Sequence, residues 1–264
     1  MQLYKRNVEV IIGADDGSAI SFKDLYIQFE IKKTISSTPN EGLVFIYNLS
    51  DTTETLIKER GVRIRVLAGY GGQFALLFDG DIRKVERDKA PPERKTIIKL
   101  GGNVFAITDS IANISYSGSI PVKQIITDTI SGFGLSYSGL DSIPNSTLND
   151  FSFTGRTADL FDEILKPINM QWFEDSGFIK FSAVGASTEE VALINASSGL
   201  IGSPAVTDTG IKAVSLLNAS IIPGGRVKVE STLVTGIYKV TQLVYRGDNR
   251  EGDFFTEFLG AESD

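Results

Sequence analysis

The sequence contains neither cysteine nor histidine. The first absence excludes disulfides, thiol nucleophiles and thiolate metal sites. The second excludes imidazole ligands, Ser-His-Asp triads and any histidine general base titrating near neutrality. Catalytic chemistry is thereby confined to carboxylate pairs, Lys, Tyr, or a hard cation held by oxygens. No apolar run approaches the roughly 18 residues of a membrane span. The start, "MQLYKRNVEV", puts charges where a signal peptide has its apolar segment. Neither secretion nor membrane insertion is expected, and the sequons at Asn113–Ser115 and Asn218–Ser220 read as ordinary Asn and Ser content.

What is present is ordinary for a folded protein: 264 residues, 42% apolar and 22% charged. That length accommodates one large β domain or two to three small ones. The net charge of −7 is uneven. Residues 1–100 hold 16 basic and 14 acidic side chains, and the rest of the chain holds 10 and 19. An acidic remainder without a basic cluster does not suit a surface that grips nucleic acid by counterion release, although it allows nucleic acid to pass.

Residues 1–106 read as a β domain. In "DLYIQFEIKKT", Leu25, Ile27, Phe29 and Ile31 alternate with Tyr26, Gln28, Glu30 and Lys32, the pattern of a strand over one core. "EGLVFIYNLS" and "VRIRVLAGY" predict further strands. Between them a short helix is predicted, with Asp51 as N-cap, Glu54 three residues on and Gly61 as its stop. "AGYGGQ" fits a tight hairpin turn, and "APPE" separates two more strands. Residues 107–185 change period: Val122, Ile125, Ile126 and Ile130 are spaced for a helix starting near Pro121 and ending at Gly132. Leu160, Phe161, Ile164 and Leu165 predict another helix, followed by a hairpin around "EDSG". Each unit is a helix followed by extended chain, so the segment reads as a small α/β module of two similar halves. Trp172 is expected in its core. Residues 186–264 return to β, with a turn at Pro223–Gly225 and a closing hairpin in "GIYKVTQLVYRGDNREGDFFTEFLG".

That hairpin is apolar on both faces. Ile237, Leu243 and Tyr245 alternate with Tyr238, Val240 and Val244, and Phe254 and Phe258 with Phe255 and Leu259. Either the middle module or another chain is expected to cover the second face. Asp79 and Asp81 flank Gly80 and are the one enzyme-like pair, although a polar turn or edge is the favoured explanation. Asp248, Glu251 and Asp253 superficially suggest a calcium loop but lack the EF-hand register, which leaves a solvated hairpin tip. The glycines of "AGYGGQ" and "PGGR" lack phosphate-loop spacing. Arg63 and Arg65, with Lys58 and Arg60 nearby, suggest a solvated or salt-bridged face.

Three segments carry a family resemblance: "VRIRVLAGYGGQFALLFDGDIRKVERDK", "IANISYSGSIPVKQIITDTISGFGL", and "SLLNASIIPGGRVKVEST" followed by "GIYKVTQLVYRGDNREGDFFTEFLG". In this order the chain resembles the phage baseplate hub proteins, whose turn and Phe-x-Gly motifs correspond to Gly69–Gly72 and Phe78–Gly80. Tyr245 stands where many members have His, at a position where the family has no catalytic site. The resemblance implies a mainly β (α+β) fold with two tail-tube-like β-barrel domains, 1–106 and 186–264, around the α/β helix-hairpin module 107–185. It implies a homotrimer forming a pseudo-sixfold ring between a threefold tail spike and the sixfold tail tube. The tape-measure protein, other baseplate proteins and transiently DNA would be the further partners. It implies a virion location after assembly in the host cytoplasm. No catalytic residue, metal or cofactor is implied. Subunit-interface residues are expected in the terminal hairpin at Phe254, Phe255, Phe258 and Leu259. Two rival readings stay open: a cell-wall glycan hydrolase using Asp79/Asp81 or Asp248/Asp253, and a receptor- or carbohydrate-binding module using Trp172.

Overall fold

A computed structural model describes residues 5–14, 17–88, 94–187 and 191–262. The N-terminal strands are β1 (Arg6–Ala14), β2 (Ala19–Phe22), β3 (Ile27–Thr34), β4 (Glu41–Tyr47), β5 (Gly61–Tyr70), β6 (Ala75–Asp88) and β7 (Lys95–Gly101). In β3 the alternation is realised: Ile27, Phe29 and Ile31 are buried while Glu30 and Lys32 are exposed. β5 turns into β6 through Gly71 and Gly72, both at positive φ, and the Gln73 N–H donates to the Tyr70 carbonyl at 3.0 Å. That backbone needs glycine. The "APPE" connection lies outside the described residues.

Helix α1 (Asp51–Arg60) starts one residue earlier than predicted. Ser50 is the cap: its Oγ accepts the Thr53 N–H at 3.1 Å, which places Asp51 in the first turn, where its charge suits the helix dipole. The helix ends at Arg60, and Gly61, the expected stop, is the first residue of β5.

The middle segment contains α2 (Val104–Asp109), β8 (Ile111–Ser115), β9 (Ser119–Pro121), α3 (Val122–Thr129), β10 (Ser136–Ser138), β11 (Thr147–Asn149), β12 (Ser152–Arg156), α4 (Thr157–Leu165), β13 (Met170–Asp175) and β14 (Phe178–Ala183). The apolar stripes of α3 and α4 are buried together with Phe133, Trp172 and Phe181 in a core of their own. Each helix runs on into a 3-10 turn that ends on a left-handed residue, Gly134 or Asn169. The first helical stretch therefore ends at Gly134 rather than Gly132, whose missing side chain leaves room for Ser110 Oγ. β10, β14 and β13 form a three-stranded sheet.

The last segment contains β15 (Val191–Asn195), β16 (Leu200–Thr207), β17 (Gly210–Leu216), β18 (Arg226–Glu230), β19 (Thr235–Asp248) and β20 (Phe254–Glu262). The Pro223–Gly225 turn docks on β19, with the Gly224 N–H donating to the Val240 carbonyl at 2.8 Å.

The fold is mainly β, as expected, but the two β segments do not close as barrels. They share one 13-stranded sheet of order β16-β17-β20-β19-β3-β4-β7-β6-β5-β1-β2, with β18 on β19 and β15 on β18. One apolar cluster joins Val8 and Ile64 to Val240 and Phe258. The physical link is β19. Along one edge it pairs β20; along the other it pairs β18 through residues 235–239 and β3 through residues 242–248. Alternation in a sequence does not reveal which strand a neighbour will be.

The same strand resolves the two-sided hairpin. Val240 lies opposite Gly260 and Gln242 opposite Leu259, so Thr241 is an extra residue in a β-bulge. A one-residue insertion flips every later side chain. Tyr238 and Val240 before the bulge, and Leu243 and Tyr245 after it, therefore all point into the core. Burial of each such aromatic or aliphatic side chain contributes roughly 1.5–3 kcal/mol. Deleting Thr241 is expected to force one of these pairs outward, giving an aggregated chain or one without cooperative thermal unfolding. Thr241→Ala keeps the residue count and is expected to stay within about 1 kcal/mol of the parent in urea unfolding. A deletion variant as stable as the parent would show that the bulge does not set the register.

Candidate functional site

Two features stand out: the terminal hairpin and a buried polar joint beneath it. In the hairpin, Phe254 and Phe258 turn into the chain's own core. Phe254 packs edge-on against Phe29 and Tyr70, at centroid distances of 6.3 and 5.1 Å, and Arg6 lies 5.3 Å above its ring. Gly247 is required there, because a Cβ would come within 2.6 Å of Phe254. Phe258 lies opposite Ala213 and Leu243. Neither ring offers surface to a neighbour, so of the four expected interface residues only Phe255 and Leu259 face outward. Phe255 is half-buried beneath Arg246, and Leu259 is 37% exposed.

At the hairpin tip Asp248 is buried and accepts the Arg250 N–H at 2.8 Å, while its own N–H donates to the Asp253 carbonyl. Asn249 ties the tip to the start of β3 through Leu25 and Ile27. Among the described residues no three carboxylates converge as a metal site. Tyr245 is fully buried, its hydroxyl donates to the Ile221 carbonyl, and burial pushes the phenol well above its ordinary pKa.

Asp79 and Asp81 are both engaged by arginine. Arg63 donates to Asp79 at 2.7 Å and to Asp81 at 3.3 Å, and Arg65 donates to Asp79 at 2.8 Å. Asp81 also accepts the Phe105 N–H at the start of α2. This is the salt-bridged face, and it fastens β5, β6 and α2. It leaves no free acid/base pair at these positions. Trp172 is 2% exposed, packs against Phe133 and Phe161, and donates its indole N–H to Asp162 at 2.8 Å. A surface platform built on Trp172 is therefore excluded.

The joint is where the middle module enters the sheet. β13 and β14 are connected by Ser176 and Gly177, both at positive φ as in a type I′ hairpin. The tip of this hairpin presents Glu174 and Asp175 to the sheet. Lys33 donates to Asp175 at 2.7 Å and to Ser176 at 2.8 Å, and Lys180 donates to Asp175 at 2.7 Å. Burial opposes the Asp175 charge, but the two lysines hold its carboxyl far below the usual carboxylate range. Asn40 donates to the Glu174 carbonyl at 2.8 Å, and Asn103 donates to Glu174 Oε1 at 2.7 Å. Asn103 in turn accepts from Arg63, so the polar chain runs from Asp79 to the module. Sequence patterning gives one hint of this site: Lys33 falls on the inward register of Ile27, Phe29 and Ile31.

Comparison with known proteins places this geometry. A model of the family described as baseplate hub gp41 matches residues 7–260. The chain belongs to the baseplate hub gp41 family. No curated protein matches it. Among solved structures, a tail protein from Neisseria meningitidis MC58 aligns at TM-score 0.68 and 10% identity, covering 98% of this chain and 97% of that one. The E. coli c3393 protein aligns at TM-score 0.64 and 13% identity, covering 90% and 74%. It is described as a type VI secretion component with structural similarity to the T4 tail proteins gp27 and gp5. The 43 kDa tail protein of prophage MuSo2 from Shewanella oneidensis aligns at TM-score 0.63 and 8% identity, covering 96% of each chain. These likenesses show a shared fold. Family membership supports a phage tail hub role and a place in the virion tail, and it suggests structural rather than catalytic work.

In this hub-family chain the joint is the densest buried charge cluster described. Removing Lys33 leaves Asp175 with Lys180 as its one cation and Ser176 Oγ as a neutral donor. Lys33→Met is expected to cost about 3–5 kcal/mol in urea unfolding, and Lys33→Met/Asp175→Asn to recover a large part of that loss. A single variant within about 1 kcal/mol of the parent would remove the joint from the account of how the module is held.

Proposed function

We propose that the chain is the structural hub of a phage tail baseplate. In this reading three copies form a pseudo-sixfold ring that adapts a threefold spike to the sixfold tail tube and encloses part of the channel for genome ejection. The observation that carries it is the family match over residues 7–260. Two β segments within one chain, 1–106 and 186–264, let a threefold rotation present six similar units, with 107–185 as a separate module. The partners would be the spike, the tail tube protein, the tape-measure protein and other baseplate proteins, after assembly in the host cytoplasm. DNA would pass without specific binding, in keeping with the acidic balance beyond residue 100.

The subunit contact in this reading is the outer face of β15, β18, β19 and β20. Phe255 and Leu259 lie on β20, and Val191 and Leu193 are exposed on β15, with β18 and β19 between the two strands. Lys239 Nζ and Arg226 Nε, cross-strand neighbours on that face, are buried without hydrogen-bond partners. The hydrolase and glycan-binding alternatives have lost Asp79, Asp81 and Trp172 to structural roles.

Light scattering on the chain, alone and with its spike protein, is expected to give three times the 28.6 kDa chain mass, and particle images a ring with an open centre. Phe255→Glu/Leu259→Glu is expected to give the monomer mass with an unchanged circular dichroism spectrum. A compact dimer without a central opening would sink the ring.

A further inference from the structure

Glu174 is the buried carboxylate that the joint leaves incompletely satisfied. Its side chain is held at the tip of the β13–β14 hairpin, with the residue 3% exposed. Oε1 accepts two hydrogen bonds, from Asn103 Nδ2 at 2.7 Å and from the Gly177 N–H at 2.8 Å. Oε2 has no partner. It lies against Gly102, where a Cβ would come within 2.4 Å of it. The glycine is there because the carboxyl occupies its side-chain space.

The charges around it come from every element at the joint. Asp175 is next to it on β13; Lys33 reaches in from β3 and Lys180 from β14. Arg63 on β5 contacts it through Asn103 and is itself bound to Asp79 and Asp81 on β6. Tyr245 on β19 lies under Lys33. Both lysines bond Asp175, so the ionised form of Glu174 has no cation of its own, and its Oε2 charge is buried unpaired. Such a charge is strongly unfavourable, whereas the protonated carboxyl has a donor on Oε2 and no net charge to bury.

We propose that Glu174 is a proton-operated latch between the middle module and the sheet, closed while its carboxyl carries a proton and released when it ionises. The chemistry of its neighbours sets the working range. Burial pushes its pKa up to about 7, Asp175 adds to the rise, and the bonds from Gly177 and Asn103 together with Lys33 offset only part of it. In the unfolded chain the group releases its proton near 4.5. Between those values the folded form holds the extra proton, so stability falls as pH rises through that window and levels off above it. Release would free the hairpin tip, and with it the contact of Phe173 against Gly224, and so let the module move against the sheet.

The absence of histidine and cysteine makes the test clean, because few other groups titrate between these values. Lys239, lowered by burial from 10.5, is the described group to control for, with Lys239→Met. The thermal midpoint of the parent is expected to fall by about 3–8 °C between about pH 5.5 and about pH 8.5. Glu174→Gln, isosteric and neutral throughout, is expected to be flat over that range. Hydrogen exchange, corrected for intrinsic rates, is expected to show protection of residues 170–183 lost at the higher pH while β3 and β4 keep theirs. A Glu174→Gln variant with the parent's slope overturns the proposal. So does a lost slope without local deprotection of the hairpin, which would make Glu174 a general stability determinant and no latch.

Discussion

The structure depends on one strand satisfying two different edges. β19 is 14 residues long and carries β20 on one side and, in succession, β18 and β3 on the other. Without a correction, an unbroken two-residue period would bury Tyr238 and Val240 or Leu243 and Tyr245, never both pairs. The bulge at Thr241 supplies the correction, and the Thr241 carbonyl is taken up by the Ile35 N–H just beyond β3. The N-terminal and C-terminal strands thereby share one core and one sheet. Gly247 continues the logic: it lies at the crowded point where Phe254 and Phe29 meet across β19.

The middle module is joined to that sheet by different physics. Its own apolar core, around Phe161 and Trp172, is a cluster separate from the main one. What crosses between them includes Lys33, Asn40 and Asn103 meeting Glu174 and Asp175. A buried ion pair of this kind adds little net stability over an apolar replacement, but its directional bonds define one geometry. A joint built from charge is therefore specific without being strong. It can be altered by a single proton, which an apolar joint of equal area cannot.

Much of this was legible in local pattern. The alternation in β3, the stripes of α3 and α4, the Gly71–Gly72 turn and the place of Trp172 follow from periodicity and turn chemistry, which act over a few residues. The unread features are those fixed by distant partners. Nothing in "KVTQLVY" marks Thr241 as an insertion, because a bulge is defined only against β20. Two barrels were expected where one sheet exists, because the β3–β19 pairing joins residues about 200 positions apart. Apart from Gly177, the hydrogen-bond partners of Glu174 at the joint, Asn103 and Asn40, lie 71 and 134 residues away in the sequence. The carboxylates that looked chemical, Asp79 and Asp81, proved to be anchored by Arg63, again through a pairing that only the β5–β6 register defines.

The outer face of the sheet follows a rule unlike that of the core. Arg246 pairs with Glu30 at 2.8 Å, Lys212 with Glu257 at 3.0 Å, and Lys84 and Lys99 share Glu86. These pairs are about a third to two-thirds exposed, and exposed pairs typically contribute under about 1 kcal/mol. Their effect is on the field rather than on stability. They cancel cations in place, and where Lys32 and Arg83 add positive charge to the groove over β3, β4, β6 and β7, Glu30 and Glu41 line it too. Binding a polyanion by counterion release requires a run of uncompensated cations along its path. Along this groove Glu30, Glu41 and Glu86 interrupt the cations, so it offers no such run.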